Sequence, residues 1–259
     1  MRSLDASQMN RFVHDGFVKL ENAFSREAAR KARSILWRDT GCDPDDPATW
    51  TRPVIRLGQY RDAPFIASVS TPRLIDAFDL LAGTGGWIPL ESVGTFPVRF
   101  PSNADPGDTG WHVDASFDYD QPDFMQWRVN IFSKGRALLL LLLYSDVGAN
   151  DAPTRIRCGS HLDIARRLVG AGHVGLTLRE LAHENFCETA HHPEVHATGE
   201  AGTAYLCHPF LVHAAQMHRG SLPRFMAQSP LLPARPLLVE PKGSAFSPVE
   251  AAIRAAILS

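Results

Sequence analysis

The 259-residue chain reads as an α+β protein in which helices pack on a β core of sandwich or barrel type. Helical periodicity dominates the first third, short extended runs set off by turn residues take over from about Trp87, and a capped helix closes the sequence. In chain order, Asp5 caps a first helix holding Met9, Phe12 and Val13, which Gly16 ends. Phe17–Leu20 alternates as a strand, and Ser25 opens a second helix, to about Asp39, with Ala29, Ala32, Ile35 and Leu36 at helical spacing. Residues 40–53, rich in Asp, Pro and Thr, form a loop, and 72–82 a helix with Leu74, Ala77, Phe78 and Leu81 on one face. Extended runs follow at 92–100, 110–115, 128–132, 137–144, 154–158, 202–206 and 225–231, parted by Gly, Pro, Asn and Asp clusters such as 101–110 and 148–153. Helical stretches at 162–169 and 176–183 interrupt them. Ser247-Pro248-Val249-Glu250 is a capping box with proline at the first helical position, starting the closing helix. The parts are therefore a mainly helical 1–86, a β core over 87–235 and a C-terminal helix within 236–259, with no linker, and a single domain is expected.

Composition narrows the function. Hydrophobic residues make up 44% and charged residues 21%, ordinary globular usage that argues against disorder. With 26 Lys and Arg against 28 Asp and Glu, no broad basic field exists for nucleic acid. The longest apolar run, 137–144, falls far short of the ~20 residues a membrane helix needs, and the polar start after Met1 is unlike a signal peptide. Cys42, Cys158, Cys187 and Cys207 are dispersed, unlike a disulfide framework or structural zinc site, and suit small buried hydrophobes in a reducing compartment. A cytoplasmic protein acting on a small molecule is expected, and nothing in the pattern specifies an oligomeric state.

Of the 11 histidines most are set aside. His191, His192 and His196 lie in a segment broken by Pro193, and zinc there needs a fourth ligand and a rigid scaffold. His112-Val113-Asp114 differs: in an extended segment side chains at i and i+2 share a face, so an imidazole and a carboxylate converge. They supply two members of a 2-His-1-carboxylate triad, the open-sided site of non-haem Fe(II) oxygenases. The third comes from a distant strand. His208 precedes a proline and suits a turn, and His218 beside Arg219-Gly220 suits an exposed loop. His213 precedes two alanines that leave room for a metal, and it is chosen. Eleven residues on, Arg224 opens an apolar strand; a guanidinium buried there needs an anion, either a carboxylate ligand or a protein Asp or Glu.

Taken together, His112-x-Asp114, His213 and Arg224 resemble the phytanoyl-CoA dioxygenase family of Fe(II)/2-oxoglutarate-dependent oxygenases. The opening Phe12-Val13-His14-Asp15-Gly16-Phe17-Val18 resembles the family's usual start. Arg157-Cys158-Gly159-Ser160-His161 is similar to its P-G-S-H motif with Cys158 in place of proline, and Cys207-His208-Pro209-Phe210-Leu211-Val212-His213 resembles the distal-ligand strand of bacterial members. The resemblance runs from about Gln8 to Ala255. It implies a double-stranded β-helix, a cupin-like jelly-roll barrel with flanking helices, holding iron on His112, Asp114 and His213 at its open end. It implies a structural role for His161 and makes Arg224 the holder of the distal carboxylate of 2-oxoglutarate. Many members place Ser or Thr two residues after the distal His or the Arg; here Ala215 and Met226 stand there, so another hydroxyl assists or Arg224 works alone.

Alternation along the strand before H-x-D puts Thr95, Pro97 and Arg99 on one face, making Thr95 and Arg99 candidates for cosubstrate or substrate contact, with Arg99 equally suited to a rim salt bridge. Phe117 and Trp127 are candidate apolar walls, core packing being the other reading of Trp127. The resemblance implies hydroxylation or desaturation of an unactivated C–H bond, using O₂ and 2-oxoglutarate and releasing succinate and CO₂; Asp114, which related halogenases replace with a small residue, favours these outcomes. With only four Lys and scattered Arg, a CoA thioester is disfavoured against a small metabolite such as a natural-product intermediate. Two other readings keep the barrel. One is a zinc or manganese site with hydrolase or isomerase chemistry, which has no need of a buried Arg beside the third ligand. The other is a non-catalytic binding module, in which loss of a ligand residue would be expected.

Overall fold

A run of six leucines sets the centre of the fold. The computed structural model describes residues 2–133, 135–239 and 246–258, so the expected C-terminal part is described only over 236–239 and 246–258. Its elements are α1 (Ala6–Asp15), β1 (Phe17–Leu20), α2 (Arg26–Thr40), β2 (Val54–Leu57), α3 (Ala63–Val69), α4 (Pro72–Ala82), β3 (Phe96–Arg99), β4 (Arg128–Val129), β5 (Leu138–Leu143), β6 (Arg155–Arg157), α5 (Ser160–Val169), β7 (Leu176–Thr177), α6 (Leu178–Leu181), β8 (Glu194–His196), β9 (Ala204–Cys207), β10 (His213–Ala214), β11 (Met226–Leu231) and α7 (Pro248–Leu258).

The all-leucine β5 lies between β9 and β11 in an antiparallel sheet of order β1-β9-β5-β11. Both of its faces are buried, as a continuous apolar run requires. Leu138, Leu140 and Leu142 join the larger core with Phe12, Leu36, Phe78 and Ile253 of the helices. Leu139, Leu141 and Leu143 join Ile156, Tyr205, Cys207 and Met226 in a second core toward the smaller sheet, of order β10-β6-β8. Strand β3 continues the large sheet beyond β11 through the Arg99–Arg224 bridge and pairs with β2 on its other side. Helix α7 packs on α1, α4 and α5. Among the described residues no helix is long and apolar enough to cross a membrane.

The helices with their own caps lie where the sequence places them. Asp5 and Gln8 close a capping box on α1, Ser25 caps α2, Thr71 caps α4, and the Ser247 and Glu250 side chains each accept from the other's backbone N–H. Gly16, at φ 82°, ends α1, and a Cβ there would stand 2.5 Å from the His161 ring. His161 is buried, pushed down to about 4 by burial, and donates from Nε2 to the Val13 carbonyl; the Gly159 N–H reaches Asp15 and the His208 N–H reaches Gly16. The chain's opening motif, the Gly159-Ser160-His161 turn and the His208 turn thus lock together.

Several expectations are corrected. Residues 110–115 form no strand; only His112 is bridged, because the opposing β10 is two residues long. Residues 176–183 split: Leu176–Thr177 pairs with β4, and the Thr177/Glu180 capping box starts α6 only at Leu178. Strand β2 and helix α3 lie where no element was expected. His218 is buried, not exposed, and accepts the Gly220 N–H. Of the four free cysteines only Cys207 is fully buried, while Cys187 is exposed.

Candidate active site

Two cross-strand pairs build the site. His112 and His213 exchange both backbone hydrogen bonds at 2.9 Å, so their side chains leave the same face, with ring centroids 4.3 Å apart. Two residues past His112, Asp114 brings its carboxylate to the same place. The ligand atoms of the three side chains all lie within 4.8 Å of one another. Each imidazole is oriented by its own loop: Nδ1–H of His112 donates to the Gly110 carbonyl and Nδ1–H of His213 to the Leu211 carbonyl, both at 3.0 Å. That assignment leaves both Nε2 lone pairs free, the arrangement in which a histidine serves a metal. Burial, aided by His112, pushes His213 down to about 4, so it is neutral and able to ligate. Burial alone would raise the Asp114 carboxyl, but the Arg136 guanidinium, 3.1 Å away, together with both imidazoles holds it below its usual range. The donor set therefore fits a divalent metal with open coordination positions.

The second pair is Arg99 and Arg224, whose backbones also exchange both hydrogen bonds, at 3.1 and 2.8 Å. Like charges directly opposite one another are unfavourable, the more so when buried. Arg99 is answered by Asp108, its Nη2 donating to both carboxylate oxygens at 2.8 Å, while Arg56 donates to the same carboxylate at 2.6 Å. Arg224, 1% exposed, donates to the carbonyls of Ala152 and Pro97, leaves Nε without a partner and makes no salt bridge among the described residues. Burial, with Arg99 beside it, pushes it down to about 9.

Two cavities meet at His112. The smaller, of about 180 Å³, is lined by Arg56, Thr95, Pro97, Arg99, Asp108, His112, Ala215 and Gln228. Thr95 and Arg99 thus reach it together, whereas Arg224 meets it only through its neighbours Pro97 and Arg99. The larger, of about 500 Å³, contains His112, Asp114, Arg136 and a set of aromatic walls that includes Trp111, Tyr119, Phe124 and Trp127. Trp127 belongs to this lining. Phe117 lies outside this lining: its backbone pairs with Arg128, and Tyr119, two residues on, forms the wall instead.

Sequence reasoning missed Asp108, Arg136 and Gln228. Gln228 was open to discovery, because alternation from Arg224 through Met226 puts it on the inward face. Asp108 sits in a Gly/Pro/Asp cluster that reads as turn punctuation, and Arg136 in a short polar turn that carries no signal. His208 is buried within a turn, accepting the Phe210 N–H at Nδ1 and donating to Val249, so it is not free to ligate.

No family model matches the chain, and no curated protein matches it in sequence. Solved structures do. HygX from Streptomyces hygroscopicus, with nickel and 2-oxoglutarate bound, is 17% identical with a TM-score of 0.56, covering 87% of this chain and 85% of that one; it has also been solved with hygromycin B. The non-heme alpha-ketoglutarate-dependent carbocyclase SnoK from nogalamycin biosynthesis is 16% identical, TM-score 0.56, covering 93% and 96%. EctD from S. alaskensis, with 2-oxoglutarate and 5-hydroxyectoine, is 21% identical, TM-score 0.53, covering 88% and 75%. At these identities the likeness is one of fold.

Proposed function

We propose that this chain is an Fe(II)/2-oxoglutarate-dependent dioxygenase of the phytanoyl-CoA dioxygenase family, a single double-stranded β-helix domain acting on a small-molecule metabolite. The observation that carries the reading is the adjacency of two incomplete constellations: three ligands with both Nε2 atoms free, and a buried arginine pair of which only Arg99 meets a carboxylate. A metal completes the first and a dicarboxylate the second, and His112 borders the smaller cavity that joins them. The two layered sheets and the likeness in fold to structures holding nickel with 2-oxoglutarate, or iron, support the same reading.

In this reading His112, Asp114 and His213 hold iron, which with 2-oxoglutarate and O₂ supplies the oxidising chemistry when bound. The protein's residues do the rest. The Gly110 and Leu211 carbonyls hold the imidazoles in the ligating tautomer. Arg99 and Arg224 supply the charge for the far carboxylate, and Thr95 and Gln228 offer the polar groups that Ala215 and Met226 lack. Trp127 and the neighbouring aromatic walls seat the substrate and exclude water, so that a C–H bond meets the metal face in an apolar surrounding. Hydroxylation or desaturation of a natural-product-like molecule, with release of succinate and CO₂, is the reaction proposed. It is tested by succinate release from 2-oxoglutarate. Dependence on added Fe(II) and loss in His213→Ala are expected, and succinate formation unchanged in that variant would remove the assignment.

A further inference from the structure

Building on that reading, we propose that the 500 Å³ cavity takes a flat, apolar carboxylic acid, and that Arg136 is the residue that binds its carboxylate and fixes which C–H bond faces the metal. The cavity's body is aromatic: Trp111, Tyr119, Phe124, Trp127 and Phe186, with Met125, supply rigid apolar surface. Trp111 is braced by the guanidiniums of Arg155 and Arg157, 4.5 and 4.0 Å from its ring. Such walls suit a planar hydrophobic ligand.

Only four ionisable side chains other than Tyr119 line the cavity among the described residues: Asp108, His112, Asp114 and Arg136. Asp108 is spoken for by Arg99 and Arg56. His112 and Asp114 belong to the metal. Arg136 remains, and its bonding is thin for a guanidinium with five N–H donors. It has one contact to Asp114 at 3.1 Å, one long contact to the Ala115 carbonyl at 3.4 Å, a side-chain contact with the Tyr119 hydroxyl and no partner for Nε. Once a divalent ion shares the Asp114 charge, a largely buried cation is left facing an apolar cavity, where a carboxylate is its best partner.

Arg136 is also placed by construction. Its N–H donates to the Ser133 carbonyl, and the Ser133 hydroxyl donates to the Arg136 carbonyl. Gly135 presses this turn so closely on Ser116 that a Cβ there would lie 1.8 Å from the Ser116 carbonyl oxygen. The turn is thereby docked against the segment that follows His112-x-Asp114. The Tyr119 hydroxyl, bonded to the Ala115 carbonyl at 2.7 Å, stands at the same spot as a second polar group.

The test is binding rather than turnover. Biphenyl-4-carboxylate, its primary amide and 4-biphenylmethylamine are titrated against wild type, Arg136→Gln and Arg136→Lys, reading quenching of tryptophan fluorescence. The titrations use metal-free protein and, anaerobically, protein loaded with Fe(II) and 2-oxoglutarate. Wild type is expected to bind the carboxylate about tenfold or more tighter than the amide, and the amine weakest. Arg136→Gln should abolish that preference while leaving amide affinity within about twofold, which also shows the variant folded; Arg136→Lys should keep part of it. An acid preference that survives in Arg136→Gln would place the carboxylate elsewhere and overturn the proposal, as would no binding by any probe. The oxygenase reading stands or falls separately on the charge-transfer band of the loaded protein, because the Arg136 preference is a binding ratio read by fluorescence, smaller in metal-free protein, where Asp114 still engages Arg136, than in loaded protein.

Discussion

Asp163, His191 and His192 bring three ligand atoms within 4.8 Å of one another, and so do His112, Asp114 and His213. The same composition at the same spacing is nonetheless two different objects. In the first, the carboxylate is already committed: one Asp163 oxygen receives Arg166 at 2.8 Å and the other meets His192 Nε2 at 2.6 Å, while His191 is exposed. In the second, backbone carbonyls occupy Nδ1 of both histidines and nothing among the described residues occupies Nε2. The carboxylate there is steadied by an arginine from one side, and two cavities open onto the group. Proximity of ligand types alone does not favour a metal; unspent lone pairs beside a cavity do.

The sharpest way to break the comparison is to remove one residue from each cluster. Asp114→Ala and His213→Ala should each lower Fe(II) affinity by more than the roughly hundredfold that loss of an outer partner costs, and abolish turnover. His192→Ala should change neither, as read by metal content after dialysis; equal losses would erase the distinction. His208→Ala and His218→Ala should likewise retain iron.

Arg224→Met should raise the 2-oxoglutarate KM by at least about tenfold through loss of a buried charge, with Fe(II) affinity little changed. A shift confined to Fe(II) affinity would detach the arginine pair from the cosubstrate.

The comparison also extends along pH. His161, close to Asp163 and His192, is pushed down by burial to about 4, and burial holds His208 well below its ordinary value. Both are neutral when folded, whereas the unfolded chain takes up protons near pH 6.5, so stability is full above that pH and falls as pH drops toward 4. His161 alone should account for about 2 kcal/mol lost by pH 5. Thermal unfolding in which His161→Gln loses none of this acid sensitivity would contradict the assignment.

The smallest expected effect concerns Asp108, which rests on Arg99 where the proposal puts a ligand carboxylate. Because the pair is partly solvated, Asp108→Asn should tighten 2-oxoglutarate binding by no more than about fivefold. Weaker binding would make Asp108 a support of the cavity rather than a competitor for it.

Legibility in the sequence followed how locally each feature is determined. Helices α1, α2, α4 and α7 carry their own caps, and β5 carries a leucine run that suits a doubly buried strand. Each could be read from a window of about a dozen residues. Strands β2 and β8 have mixed burial patterns and exist because β3 and β6 lie beside them, which no local window contains. The H-x-D face was readable from two-residue periodicity even though its segment is not a strand, since one bridged residue suffices to aim both side chains. The cross-strand pairing of Arg99 with Arg224, the resident carboxylate of Asp108 and the docking of Arg136 are tertiary juxtapositions. Residues 9 to 125 positions apart in the chain make them, and no spacing rule connects them.

The most direct test of the central claim is an anaerobic titration of the metal-free protein with Fe(II) and then with 2-oxoglutarate, followed in the visible spectrum. One Fe(II) per chain, followed by a weak charge-transfer band that appears only with 2-oxoglutarate and is missing from His213→Ala, is the predicted result. Stoichiometric Fe(II) binding with no band would leave the three ligands standing and contradict the assignment of the arginine-lined cavity to 2-oxoglutarate.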